Sequence, residues 1–161
     1  VYDLDMVLTD SPGGTGGRIR AFNHLLGGSG ISFFGRKDLA SRARRKFPLS
    51  LHGAPLLLPT GNTMLRRSLE QWFETTEIRP LVVGEFEDSA LLSVFGQRGV
   101  GLFPAPTVIA RAIEDQYRVQ RIGDVPDIQE NFYAVTVERR IKHPAIAAIC
   151  REAKGTLSTA G

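Results

Sequence analysis

The sequence predicts an α/β fold of two lobes, and three observations carry that expectation. Short apolar runs rich in Val, Ile, Leu and Phe alternate with longer segments of helical period, the pattern of parallel strands joined by crossover helices. Several of those runs are apolar on both faces, as buried strands require. Two further segments, residues 18–35 and 124–137, read as extended chain passing from one lobe to the other and back.

Strands are expected at residues 4–8, 31–34, 55–58, 81–86, 100–103, 119–122 and 132–137. Residues 36–46 (RKDLASRARRK) place Leu39, Ala40 and Ala43 at helical spacing, followed by Phe47, so this basic stretch reads as an amphipathic helix with a solvated charged face. In residues 62–75 the apolar side chains of Leu65, Leu69, Trp72 and Phe73 recur at i, i+4, i+7 and i+8, and Asn62 or Thr63 supplies the cap. A third helix should start at Asp88 or Ser89, bury Leu91, Leu92 and Phe95, and end at Gly99; Gly96 weakens its last turn. A fourth begins near Pro106 and presents Val108, Ile109, Ala112 and Ile113 on one face. The last starts at Pro144, buries Ile146, Ile149 and Cys150, and should stop before Gly155. The glycine-rich segments 11–17 (SPGGTGG) and 27–30 (GGSG) read as loops, the second putting a turn into the first crossing.

Composition narrows the class. With 42% hydrophobic and 23% charged residues the 161-residue chain has the make-up of a globular protein, and its one cysteine, Cys150, excludes an intramolecular disulfide. No apolar run approaches the roughly 18 residues that cross a bilayer, so a cytoplasmic protein with no membrane partner is expected. The chain opens at Val1 on a strand-like run, and we expect it to start inside a fold. A net charge of +3 comes mainly from the basic helix, and no zinc-finger spacing or aromatic-rich RNA-reading strand accompanies it.

In parallel α/β sheets ligands collect beyond the carboxyl ends of the strands, where helices begin with unpaired amides. Four corners qualify: Thr9-Asp10-Ser11, Thr60-Gly61-Asn62-Thr63, residues 85–89 and residues 104–107. Hydroxyls and amides at Ser11, Asn62 and Thr63 would suit a small anion, although plain helix capping explains the same residues. Glu85, Glu87 and Asp88 could hold a hard cation through oxygen ligands; alternatively Asp88 caps the following helix and the glutamates favour its positive end. The three histidines, His24, His52 and His143, lie far apart. No nucleophile elbow, phosphate-binding lysine loop or dinucleotide fingerprint is present, so neither an enzyme nor a cofactor is expected.

The order of pieces resembles the effector-binding domain of LysR-type bacterial transcription regulators, whose fold is similar to the type 2 periplasmic binding proteins. Leu4-Asp5-Met6-Val7-Leu8 resembles the family's strand after its "gxLDlai" turn. Residues 86–104 (FEDSALLSVFGQRGVGLFP) resemble its acidic cap, helix, "GxG" and strand ending in proline, and residues 133–144 (YAVTVERRIKHP) its returning strand and last helix start. Residues 22–27 (FNHLLG), 53–59 (GAPLLLP), 65–73 (LRRSLEQWF), 83–86 (VGEF) and 88–92 (DSALL) are similar to a branch of activators of a sodium/proton antiporter gene.

The resemblance implies a first lobe of residues 1–26 plus 132–161, lacking the family's opening strands and helices, and a second lobe of residues 27–131. It implies an effector between lobes, for which the strand-end corners offer Thr9, Ser11, Thr60, Asn62, Thr63, Phe103 and Pro104 as contacts, and homodimers or tetramers of the full-length protein. DNA would be read by a separate winged helix-turn-helix domain outside this chain. The branch implies a response to sodium or lithium, with Glu85, Glu87 and Asp88 as the candidate ligands. A solute-binding protein of a transport system shares the fold and is the alternative function.

Overall fold

The computed structural model describes residues 4–13, 21–137 and 140–158. Among these residues there are six strands, β1 (Met6–Thr9), β2 (Phe22–Gly35), β3 (Pro55–Pro59), β4 (Leu81–Phe86), β5 (Phe103–Pro106) and β6 (Gln120–Thr136). Five α-helices accompany them among the described residues: α1 (Lys37–Arg44), α2 (Met64–Thr75), α3 (Ser89–Gln97), α4 (Ala110–Tyr117) and α5 (Pro144–Ser158). The chain divides into two compact units, one of Val1–Ser29 with Glu130–Gly161 and one of Gly30–Gln129, so β2 and β6 each serve both. The sequence reading places these boundaries at 26/27 and 131/132.

In the first unit β1 pairs antiparallel with the end of β6, Met6 facing Thr136 and Thr9 facing Tyr133. Leu26, Ala134 and Cys150 form its core, with Met6, Ile146 and Leu157 packed against them. Val7 and Leu8 remain exposed. In the second unit β3 and β4 run parallel, and the end of β2 pairs antiparallel with β5. Leu57 N–H donates to the Leu102 carbonyl and Leu102 N–H to that of Pro55, both at 2.8 Å, tying β3 to the approach of β5. Phe33 at 0% exposure stacks on Trp72 with ring centroids 6.5 Å apart, while α3 and α4 cover a second cluster around Phe34, Leu57 and Phe103.

Four expectations are corrected. Residues 27–30 are not a turn: β2 runs unbroken over 14 residues. A Cβ on Gly27 would come within 2.7 Å of Leu157 Cβ, so glycine here permits close helix–strand packing. Likewise α5 runs through Gly155 to Ser158, because Leu157 beyond it packs into the core of the unit. The strand expected at 100–103 lies at Phe103–Pro106, since Gly99 ends α3 at φ 79° and Arg98, Gly99 and Val100 N–H groups still bond back to α3. The two strands expected at 119–122 and 132–137 are one, β6, of 17 residues. The loop expected at 11–17 lies partly, from residue 14, outside the described residues.

β4 also departs from the buried-strand expectation. Leu81, Val82 and Val83 are 59%, 39% and 44% exposed, because among the described residues β4 has only β3 beside it, as an edge of a two-stranded sheet. The basic stretch behaves as expected: Ala40 and Ala43 are buried in α1 while Arg42, Arg44, Arg45 and Lys46 are solvated.

Candidate functional site

Parallel pairing brings two of the expected corners side by side. Pro59 pairs with Phe86, and the Thr60 N–H donates to the Phe86 carbonyl at 3.1 Å, so the start of α2 lies next to the start of α3. Thr63 caps α2: its Oγ1 accepts from the Arg66 N–H at 3.2 Å and donates to the Thr60 carbonyl at 3.0 Å. The Thr60 hydroxyl donates to Asn62 Oδ1 at 2.7 Å. Asn62 is exposed, and its amide nitrogen faces no partner among the described residues.

Arg66 organises this corner and was missed by the sequence reading. Its side chain is only 10% exposed, its Nε donates to Glu70 at 2.7 Å, Nη1 to the Pro59 carbonyl at 2.8 Å and Nη2 to Glu85 at 2.8 Å. The guanidinium fork suits three acceptors set in different directions. A cation in a polar interval of an amphipathic helix looks like any solvated residue, and only the position of β4 reveals its role.

The acidic corner takes its form from the same contacts. Glu85 is held by Arg66, and Asp88 Oδ1 accepts from the Ala90 and Leu91 N–H groups at 2.7 and 3.0 Å, capping α3. Among the described residues no group of three or more His, Cys, Asp or Glu side chains is arranged to hold a metal ion. Phe103 and Pro104 are both buried: Phe103, at 0% exposure, is stacked on Phe34 and pairs in β5 with β2, so it is a core residue without a ligand-facing surface.

On the first unit, the Ser11 N–H donates to Thr9 Oγ1 at 3.2 Å in the turn after β1. Glu130 belongs to the same unit. One of its carboxylate oxygens is buried without a hydrogen-bond partner among the described residues, and burial, helped by the negative charge of Asp10, pushes its carboxyl up to about 7. The Asp10 and Glu130 carboxylates favour a hydrogen-bond donor over an anion there. The second unit holds a satisfied polar network: buried Ser32 Oγ bonds Thr107 Oγ1 and Asp124 Oδ1, each at 2.8 Å. Burial works to raise the Asp124 carboxyl, but hydrogen bonds from Arg121 and Ser32 outweigh it and hold it below the ordinary range.

The fold is that of the regulatory domain of LysR-type transcription regulators. The chain matches the regulatory domain of HypT from Salmonella typhimurium with a TM-score of 0.64 and 17% identity, over 96% of this chain and 73% of that one. The effector domain of AmpR from Pseudomonas aeruginosa matches with a TM-score of 0.68 and 14% identity, over 97% and 73%. In sequence the chain is a homologue of the transcriptional activator protein NhaR of Escherichia coli K12, 33% identical over 149 residues, which is 92% of this chain and 48% of that protein. It thus spans about half the length of the curated relatives it matches. No protein-family model matches the chain. Among the described residues no helix is long and apolar enough to cross a membrane.

Proposed function

We propose that this chain is the effector-sensing part of a LysR-type transcription regulator, working in the cytoplasm and without catalytic activity. The observation that carries the reading is the alignment of nearly the whole chain with NhaR on the fold of regulatory domains. That combination favours regulation over solute transport. A small effector binds at the strand-end corners and biases the domain towards one conformation, and a DNA-binding domain of the same protein, self-associated as a dimer or tetramer, reads out the change. The size of the response is bounded by the effector's differential affinity for the two states.

On the second unit, Asn62 and the first-turn amides of α2 present donors to an anionic group of the effector. On the first unit, Thr9 and Ser11 stand in the company of Asp10 and Glu130 and take a donor-bearing group. Thermal-shift screening of the chain against small carboxylates and amino compounds tests this reading. Hits other than aliphatic amino acids should lose at least tenfold in affinity with Asn62→Ala or Ser11→Ala. If hits bind both variants as tightly as the parent, the assignment of these corners fails.

A further inference from the structure

The first unit contains a concavity away from the corners described above. Its volume is about 360 Å³, at the small end of the ~300–1,000 Å³ range of ligand pockets. It lies where the start of β1, the end of β6 and the approach to α5 meet, and its walls have three chemical parts. Asp5 supplies a carboxylate. Lys142, with His143 next to it, supplies a cation. Val137, Ile141 and Ile146 supply an apolar wall, and Val137 is 55% exposed.

The two charges are not used on each other. Neither Asp5 nor Lys142 takes part in an ion pair or a side-chain hydrogen bond among the described residues, although both line the same small cavity. Opposite charges that share a concavity without meeting leave room for a molecule that carries both. Thr136, 5% exposed at the cavity wall, has its hydroxyl fixed 2.9 Å from His24 Nε2, so that wall is held in place from behind.

We propose that this cavity binds a small aliphatic amino acid as its zwitterion. The ligand's carboxylate meets Lys142, its ammonium group meets Asp5, and its side chain covers Val137, Ile141 and Ile146. A carboxylic acid of the same shape would leave Asp5 without a partner, and the corresponding amine would leave Lys142 without one. Charge-assisted hydrogen bonds are about twice as strong as neutral ones, so each half-ligand forfeits a principal contact. Burying the aliphatic group against Val137, Ile141 and Ile146 removes apolar surface from water.

Calorimetric titration of the 161-residue chain with L-leucine, isovalerate and isopentylamine at neutral pH is the test. Leucine should bind at least tenfold more tightly than either analogue. Lys142→Gln and Asp5→Asn, both at exposed positions and checked for folding by circular dichroism, should each weaken leucine at least tenfold, and Lys142→Arg should restore most of the loss. Asn62→Ala should leave leucine binding unchanged, which keeps this site separate from the effector corner. Absence of binding, equal binding of isovalerate or isopentylamine, or insensitivity to the Lys142 and Asp5 variants would each overturn the proposal, as would loss of leucine binding in Asn62→Ala.

Discussion

The guanidinium of Arg66, on α2, reaches Glu85 on the neighbouring strand β4 at 2.8 Å. Arg66 is nearly buried and Glu85 half exposed, so the two ends of this contact carry different weights. Removing the arginine also strips the Pro59 carbonyl and Glu70 of their donor. Arg66→Ala should therefore destabilise the protein by about 2–3 kcal/mol, chiefly through lost packing and a part-buried carbonyl left without its donor. Glu85→Gln should cost less than about 1 kcal/mol, as exposed partners do. Urea unfolding compares the two, and equal losses would contradict this ranking.

Asp88 separates a capping role from a cation-binding one. Asp88→Ala should lower stability by about 1 kcal/mol through loss of the two amide contacts at the start of α3. Melting temperatures measured in sodium chloride and potassium chloride should fall by the same amount. A decrement confined to sodium would instead assign the carboxylate to the ion.

Gly96 marks a close approach between α3 and β5. A Cβ at this position would lie 2.2 Å from the ring of Phe103, which is fully buried and stacked on Phe34, 5.8 Å between centroids. Gly96→Ala gains helix propensity but must displace that ring, and overpacking should win, with a net loss of about 1–3 kcal/mol. An unchanged unfolding midpoint would show that the ring has room to move.

Glu130 gives stability a pH dependence of definite sign. Its carboxyl rises from the usual 4.5 to about 7 in the folded chain, so the folded state holds the proton more tightly than the unfolded state. The associated stabilisation is complete below about pH 4.5 and is lost as pH rises through 7. Relative to Glu130→Gln, the parent should lose on the order of 2 kcal/mol between pH 5 and pH 8. Parallel stability curves for the two proteins over that interval would contradict the assignment.

Much of the fold was legible in the chain because its signals are local. The spacing of Leu65, Leu69, Trp72 and Phe73 set α2, Thr63 capped it and Gly99 closed α3. The LysR-type resemblance likewise rested on the order of short strings, which survive when the pieces are read one at a time. Errors fell where a glycine had two meanings. Gly27 and Gly155 read as breaks, yet one admits Leu157 against β2 and the other is carried along by the packing of that same leucine.

What the sequence by itself determined is the kind of protein: an α/β chain with named helix starts, apolar strands and the motif order of a regulatory domain. Tertiary structure alone decided which polar groups share a location. Arg66 meets Glu85 because β3 and β4 pair in parallel, Phe103 turns inward because β5 pairs with β2, and Asp5 and Lys142 line one cavity although they lie more than 130 residues apart in the chain. Periodicity fixes which face of an element is apolar, since that depends on neighbours three or four residues away; which distant face it meets depends on the packing of the whole unit.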